Sequence, residues 1–248
     1  MRNLLLSVSY DGTHYAGFQI QKNASTIQGV LESTLRKILK QNVHLLSAGR
    51  TDAGVHAFCN LVSVKTASSI SLAALKRALN SNLPQDISIK KVGEVPLNFH
   101  PRFDALSKHY RYTLRNHPLR SPFDRFFTTF YPYPLDISAM RKAAKHLRGI
   151  HDFKAFQAKD KRERASRRRI HRLSIRRKSP YVFIDIEGDG FLYKMVGNIV
   201  GTLLEIGRGK RNAQEMRRLL VQKDRQKAGK TALAEGLCLL SIRYPFDR

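Results

Sequence analysis

This sequence of 248 residues has only two cysteines and few acidic residues. Cys59 and Cys238 lie far apart and belong to no Cys-x-x-Cys pair, so they supply no metal site, and we expect buried free thiols. The chain also lacks a P-loop, a Gly-x-Gly-x-x-Gly fingerprint and a convincing cluster of metal ligands. These absences argue against nucleotide, dinucleotide and metal chemistry.

Acidic residues are scarce because 19 Asp and Glu stand against 45 Lys and Arg, which gives a formal net charge of +26. A protein this basic usually binds a polyanion, with nucleic acid as the leading candidate and an anionic membrane as the competitor. No apolar stretch approaches the length of a spanning helix, and Tyr10-Asp11-Gly12 interrupts the N-terminal apolar run before it forms a signal-peptide core. We therefore expect a cytoplasmic protein that binds nucleic acid and no membrane.

The hydrophobic fraction of 42% is enough to build real cores, in one large domain or two modest ones. Apolar spacing in the first half predicts the order strand, helix, strand, strand, helix, strand, which is the split βαβ or ferredoxin-like arrangement. The predicted elements are 4–10, 27–39, 43–47, 60–65, 71–79 and 87–92.

The second half repeats this order in topology but not in sequence. Its predicted elements are 110–114, 137–147, 170–176, 181–187, 191–206, 213–220 and 237–244. We predict two α+β domains, residues 1–104 and residues 105–248. The predicted fold is therefore α+β, with two ferredoxin-like halves that form a mostly antiparallel sheet, helices on one side and a basic cleft across it.

The most informative stretch is Gly49-Arg50-Thr51-Asp52-Ala53-Gly54-Val55-His56-Ala57. Its glycines permit a tight turn and the close approach of a ligand, and the predicted strands on either side place Asp52 on a loop held by a rigid scaffold. One interpretation is a surface turn with a local ion pair between Arg50 and Asp52. The other is a reactive carboxylate that the loop presents.

Other blocks follow in a definite order. They are Tyr10-Asp11-Gly12-Thr13, Gly17-Phe18-Gln19-Ile20-Gln21, Phe99-His100-Pro101-Arg102-Phe103-Asp104, Lys108-His109-Tyr110-Arg111-Tyr112, Gly190-Phe191-Leu192-Tyr193-Lys194-Met195-Val196 and Ala228-Gly229-Lys230-Thr231-Ala232. Together with the Asp52 stretch, this set resembles the tRNA pseudouridine synthase A family along nearly the whole chain. The family usually has a tryptophan where this chain has Phe18.

The resemblance implies an enzyme that isomerises uridine to pseudouridine in the anticodon stem-loop of tRNA. It implies no cofactor and no metal, and a homodimer whose two subunits contact one tRNA. Asp52 would be the catalytic carboxylate, with attack at C1′, attack at C6 and proton removal at C2′ all open. Tyr110 matches the family's base-stacking tyrosine, and Arg50 would fill the gap left by a flipped base or hold a phosphate.

Further residues are expected to form or line this site. They are Gly49, Thr51, Lys194, Met195 and Val196. The family usually carries an arginine that pairs with the catalytic aspartate where this chain has Gly197, and Lys194, one helical turn earlier, is the candidate replacement. This departure keeps a second hypothesis open, in which the chain is an RNA-binding or tRNA-chaperone paralogue with a weakened site.

A run of basic residues from about 154 to 178 predicts an arm that grips phosphates. The residues expected to contact the RNA backbone are Arg162, Arg164, Arg167, Arg168 and Arg169. Residues 159–166 are expected to form a mobile loop in the free protein. Binding through such an arm weakens steeply as salt rises.

Overall fold

A computed structural model describes residues 1–159 and 165–246 of the chain. They form two compact units, residues 1–106 with the described residues from Cys238 onward, and residues 107–237. The strands of the described residues are β1 (Arg2–Tyr10), β2 (Leu45–Ser47), β3 (His56–Thr66), β4 (Ile87–Val95), β5 (Ser107–Arg115), β6 (Thr129–Phe130), β7 (Gly149–Asp152), β8 (Arg167–Lys178), β9 (Tyr181–Gly188) and β10 (Leu237–Arg243). Their α-helices are α1 (Ile27–Leu39), α2 (Leu72–Asn82), α3 (Ile137–Lys145), α4 (Met195–Gly207) and α5 (Glu215–Gln222).

The first unit has the predicted split βαβ order from β1 to β4. Strand β1 pairs antiparallel with both β3 and β4, and β2 pairs antiparallel with β3. Alternation along β1 buries Leu4, Leu6, Val8 and Tyr10 on one face. Helix α1 spans its predicted residues because Thr26 caps it, accepting a hydrogen bond from the backbone N–H of Gly29.

The last strand, β10, belongs to the first unit. It pairs parallel with β3, with Cys238 opposite His56. The sequence-based division at 104 and 105 stays a prediction about domains, but the strand expected to close the second repeat forms this pair with a strand of the first half. Neither cysteine is fully buried, which corrects the expectation of buried thiols.

In the second unit, β9 lies between β5 and β8 and pairs antiparallel with both, while β7 pairs antiparallel with β8 and the short β6 pairs parallel with β5. Helix α3 contacts β8, α4 and α5. Helix α4 is buried along almost its whole length, as its apolar sequence predicts. The α+β class with mostly antiparallel strands is confirmed.

Several predicted boundaries were wrong. Strand β3 begins at His56 instead of residue 60, since polar side chains at its start are buried and interrupt the apolar pattern. Helix α4 begins at Met195 instead of residue 191, because Lys194 has a left-handed backbone with φ of 56°. Strands β6 and β7 were not predicted, because two to four residues are too few to show a periodicity.

Within residues 1–159 and 165–246, no helix has the length and apolar character needed to cross a bilayer. The same residues contain no group of three or more His, Cys, Asp or Glu side chains arranged to bind a metal ion.

Candidate active site

Asp52 lies in the loop that joins β2 to β3, where the sequence predicted it. Its side chain is half-buried, whereas Arg50 is exposed and Thr51 is buried. The backbone N–H of Val55 donates to the carbonyl oxygen of Asp52 at 3.1 Å, and Gly54 takes a φ of 75° in the turn that this bond closes. The loop therefore turns tightly just after the carboxylate, as its glycine requires.

A buried polar network supports the N-terminal side of this loop. The Asn60 amide nitrogen donates to the carbonyl oxygen of Gly49 at 2.8 Å, and Asn60 Oδ1 accepts the Gly49 N–H at 3.3 Å. Asn60 Nδ2 also reaches Tyr10 Oη at 3.2 Å, and Tyr10 Oη lies 2.8 Å from Thr51 Oγ1. Sequence reasoning placed Gly49 and Thr51 at the site but did not identify Tyr10 and Asn60 as their partners.

The N-terminal block packs against the same loop from another direction. The backbone N–H of Phe18 donates to the carbonyl oxygen of Thr51 at 2.9 Å, and that of Gly54 donates to Tyr15 at 3.3 Å. Gly17 has a φ of 102°, and a Cβ at this position would lie 2.8 Å from the Thr51 carbonyl oxygen. The Gly17-Phe18 pair in the sequence is the signal for this close approach, since only glycine fits it without strain.

His56 marks the other end of the loop. Its Nδ1 lies 3.0 Å from Asp11 Oδ1 and 3.1 Å from the backbone nitrogen of Gly12. A Cβ on Gly12 would lie 2.1 Å from the carbonyl oxygen of Val55, so this glycine also has a packing reason. The Tyr10-Asp11-Gly12 block therefore contacts the loop residues on both sides of Asp52.

Tyr110 lies on β5 in the second unit. It is buried, with 7% of its surface exposed, and the edge of its ring meets the ring of Phe191 with centroids 5.2 Å apart. Tyr112, two residues along the strand, is fully buried and hydrogen-bonds to Thr129 Oγ1 and to the Leu233 carbonyl oxygen, and burial raises its pKa. Tyr112 is therefore a core residue, as predicted, and the role of Tyr110 stays a prediction.

The start of α4 is fixed by a polar cluster. Asn198 Oδ1 accepts hydrogen bonds from Arg225 and from Thr231 Oγ1, at 2.8 Å and 2.6 Å, and Asn198 Nδ2 donates to the Phe156 carbonyl oxygen at 2.7 Å. Arg225 also donates to the carbonyl oxygen of Gly229 at 3.0 Å. This cluster seats residues 228–232 on the helix that carries Met195 and Val196.

Gly197 packs against the segment formed by residues 228–232. Its carbonyl oxygen accepts the N–H of Ala232, and a Cβ at residue 197 would lie 3.1 Å from Thr231 Cγ2. Met195 and Val196 are buried, whereas Lys194 is exposed, with its Nζ 5.6 Å from the ring centroid of Tyr193. Lys194 precedes the helix, so the expectation that it shares a helical face with residue 197 was wrong.

Known proteins resemble this chain across both the Asp52 loop and helix α4. A family model described as tRNA pseudouridine synthase matches residues 6–104 and 143–245, which include the Asp52 loop and helix α4.

The chain belongs to the tRNA pseudouridine synthase family.

Relatives named tRNA pseudouridine synthase A match it from end to end. The protein of Geobacter sp. (strain M21) is 44% identical over 246 residues, covering 99% of this chain and 100% of the relative. That of Geotalea uraniireducens (strain Rf4) is 45% identical over 244 residues, covering 98% and 100%. The solved structure of a Cbf5-Nop10-Gar1 complex aligns with a TM-score of 0.36 and 12% identity. The alignment covers 81% of this chain and 45% of that one, and this similarity is too weak to indicate a shared function.

The C-terminal part of the basic segment, residues 167–178, is more regular in this synthase-family chain than the sequence suggested. Residues 167–178 form β8, which pairs with β7 and β9, so they are a strand and not part of a free arm. Arg167 and Arg169 are exposed and Arg168 is half-buried, while Arg162 and Arg164 lie outside the described residues. The backbone N–H of Arg169 donates to Asp189 Oδ1 at 3.0 Å, which fixes the start of the strand.

A charged cluster on the second unit's sheet was not foreseen. Asp185 on β9 is buried, and its carboxylate contacts His109 Nε2 and Arg111 Nε, each at 2.9 Å, and Arg176 at 3.4 Å. Burial alone would raise the pKa of Asp185, but the hydrogen bonds and charges of His109 and Arg111 outweigh it and lower the pKa to about 2. The aspartate therefore neutralises part of the positive charge that its neighbours carry.

Proposed function

We propose that this chain converts uridine to pseudouridine in the anticodon stem-loop of tRNA, with Asp52 as the catalytic carboxylate and without a cofactor. The observation that carries the proposal is the half-buried Asp52 on a loop fixed from both sides, in a chain that matches relatives named tRNA pseudouridine synthase A over their full length. A rigid loop is what a reactive carboxylate needs in order to meet one atom of a large substrate.

The reaction rearranges bonds within one nucleotide. The N1–C1′ bond breaks, the uracil rotates, C5 joins C1′, and the proton lost from C5 is balanced by the proton gained at N1. Reactant and product are isomers, so no electrons enter or leave and no redox cofactor is required. A carboxylate fits this sequence of steps in three ways, as a nucleophile at C1′, as a nucleophile at C6, or as a base at C2′.

The other site residues receive roles that follow from their chemistry. A target uridine within a stem must leave the base stack before a protein side chain can reach its sugar. We assign Tyr110 to packing against the flipped uracil and the exposed Arg50 to the vacated position in the stack or to a phosphate. Met195 and Val196 are buried apolar residues, and such residues exclude the water that would hydrolyse a detached intermediate.

The charge of the chain supports an RNA substrate. A net charge of +26 attracts the phosphate backbone, and the exposed Arg167 and Arg169 are our candidates for direct contacts. We also propose that the chain acts in the cytoplasm as a homodimer, with one tRNA contacting both subunits. Both statements rest on the family to which the chain belongs.

The decisive experiment compares the wild-type chain with Asp52→Asn. Tritium release from tRNA labelled at uracil C5 should fall about a thousandfold or more, while the dissociation constant for tRNA changes less than about threefold, because Asn keeps the shape but removes the charge. The matched control is Asp136→Asn, since Asp136 caps α3 and asparagine caps helices equally well.

Equal tritium release by Asp52→Asn and the wild type would refute the role of Asp52. A wild-type chain that binds tRNA but releases no tritium would refute the enzymatic proposal altogether. That second result would support the hypothesis of an RNA-binding paralogue instead. The full-length matches to relatives named as synthases do not favour this hypothesis.

A further inference from the structure

Two neighbouring strands of the first unit change from apolar to polar where they meet the Asp52 loop. Buried residues on the core face of β1 are Leu4, Leu6 and Val8, followed by Tyr10. Those on β3, read toward the loop, are Thr66, then Val64 and Val62, followed by Asn60. Burying a hydroxyl and an amide costs free energy that two apolar side chains would not cost, so this pair calls for a compensating use.

The polar atoms of the pair are used on the loop. Asn60, Tyr10 and Thr51 are 0%, 4% and 6% exposed. Asn60 Nδ2 donates both to the Gly49 carbonyl oxygen and to Tyr10 Oη, while Asn60 Oδ1 accepts the Gly49 N–H. Because an amide nitrogen only donates, Tyr10 Oη accepts from Asn60, and the Tyr10 hydroxyl forms a second hydrogen bond with Thr51 Oγ1, 2.8 Å away.

The network fixes a short piece of backbone immediately before Asp52. The Asn60 side chain hydrogen-bonds to both the backbone N–H and the backbone carbonyl oxygen of Gly49. Tyr10 hydrogen-bonds to the Thr51 side chain, and the Phe18 N–H donates to the Thr51 carbonyl oxygen. Burial raises the pKa of Tyr10 further above neutrality, so its phenol carries no charge at physiological pH. No bond in this set has a charged partner, so salt screens it little.

We infer that Tyr10 and Asn60 are positioning residues for catalysis, which hold the Asp52 carboxylate in its reactive orientation through Thr51 and Gly49. The inference rests on the proposed function, since it needs Asp52 to be the reacting group. A positioning residue acts on the chemical step and not on tRNA capture. Its loss should therefore lower the maximal rate while leaving the affinity for tRNA nearly unchanged.

The test measures single-turnover tritium release and tRNA affinity for Tyr10→Phe, which removes only the hydroxyl. We expect the maximal rate to fall about tenfold, with the dissociation constant for tRNA within about twofold of the wild type. The matched control is Tyr244→Phe, which removes another buried hydroxyl of this unit, one that donates to the Pro101 carbonyl oxygen at 2.5 Å. This control should retain the wild-type rate even where its thermal midpoint falls as far as that of Tyr10→Phe.

A double-mutant cycle with Thr51→Val tests whether the two hydroxyls act together. Because both single variants break the same hydrogen bond, the double variant should be at most about threefold slower than the slower single variant. Asn60→Asp keeps the side-chain shape but loses both donated bonds, and we expect its rate to fall about a hundredfold.

Three results would overturn the inference while leaving the proposed function intact. They are an unchanged maximal rate in Tyr10→Phe, equal losses in Tyr10→Phe and Tyr244→Phe, and fully multiplicative losses in the cycle. An inactive wild-type chain would instead refute the proposed function, and the inference would fail with it. Circular dichroism and the thermal midpoint identify any variant that does not fold, and Tyr10→Phe, which changes one atom, then decides the result.

Discussion

The two compact units stabilise their candidate site segments with different chemistry. In the first unit, the neutral side chains of Tyr10 and Asn60 hold the Asp52 loop from within a buried core. In the second unit, the guanidinium of Arg225 joins α4 to residues 228–231, and Asp185 gathers basic side chains on the sheet. The hydrogen bonds of Tyr10 and Asn60 respond little to pH or salt, because neither side chain is charged. The contacts of Arg225 and Asp185 involve charged groups of the kind that also attract a polyanion.

The largest expected effect comes from a substitution that crowds the Asp52 loop in the first unit. Gly17→Ala places a Cβ 2.8 Å from the Thr51 carbonyl oxygen at a φ of 102°, so the Asp52 loop must move. We expect pseudouridine formation to fall about a hundredfold and the free energy of unfolding to fall by about 2–3 kcal/mol. Tritium release and urea unfolding measure the two effects.

Gly209→Ala is the matched control for Gly17→Ala. Gly209 also has a positive φ, of 72°, but a Cβ there meets nothing within 4 Å. This variant should lose about 1 kcal/mol from backbone strain and keep its activity. Equal activity losses in the two glycine variants would show that strain, and not the position of the Asp52 loop, explains the result.

The second prediction concerns the buried carboxylate of Asp185 in the second unit. Asp185→Asn should lower the free energy of unfolding at pH 7 by about 2 kcal/mol, because a buried carboxylate loses its charge beside His109 and Arg111. The pKa of Asp185 lies at about 2 in the folded chain, below the ordinary value for aspartate of about 3.9. Its stabilising effect is therefore complete above pH 4 and is lost as the pH falls from about 4 to about 2.

Urea unfolding at a series of pH values measures this effect. The gap between the wild type and Asp185→Asn should narrow as the pH approaches 2. A gap that stays constant over that range would show that packing, and not charge, explains the contribution of Asp185.

The smallest expected effect concerns RNA affinity. Arg167→Gln combined with Arg169→Gln removes two exposed positive charges at the start of β8. We expect tRNA affinity near 0.1 M salt to fall about tenfold, and the slope of log affinity against log salt to decrease by about 0.7–0.9 for each lost phosphate contact.

The control for this pair removes two exposed charges from α2, through Lys76→Gln and Arg77→Gln. It should change the slope much less. If both pairs reduce affinity equally, tRNA responds to the net charge of the chain and not to the start of β8.

Periodic elements of this fold were predictable from the sequence. Helix α1 follows from apolar spacing, and β1 follows from alternation. The start of β3 was not predictable in this way, because His56 and Asn60 are polar residues buried for their hydrogen bonds. Hydrophobic pattern cannot reveal a buried polar residue whose partners are distant in sequence.

The candidate site shows the same division. The glycines and charges of the Asp52 stretch left two interpretations open, and the family resemblance made Asp52 the candidate carboxylate; the structure places the stretch on the expected loop. The dependence of that loop on Tyr10, Gly17 and Asn60 was not evident, since these contacts join residues 11 to 50 positions apart and leave no periodic signal. Lys194 illustrates a local failure, because its left-handed backbone ends the helical periodicity that the sequence continues.

The pairing of β10 with β3 has a consequence for synthesis of the chain. A ribosome completes β3 early but makes β10 only after the entire second unit. Until then, residues 56 and 57 at the start of β3 lack their β10 partner, while β2 already pairs with residues 62–64. The late strand therefore completes the sheet beside the Asp52 loop, and the second unit is made as an insertion within an unfinished first one.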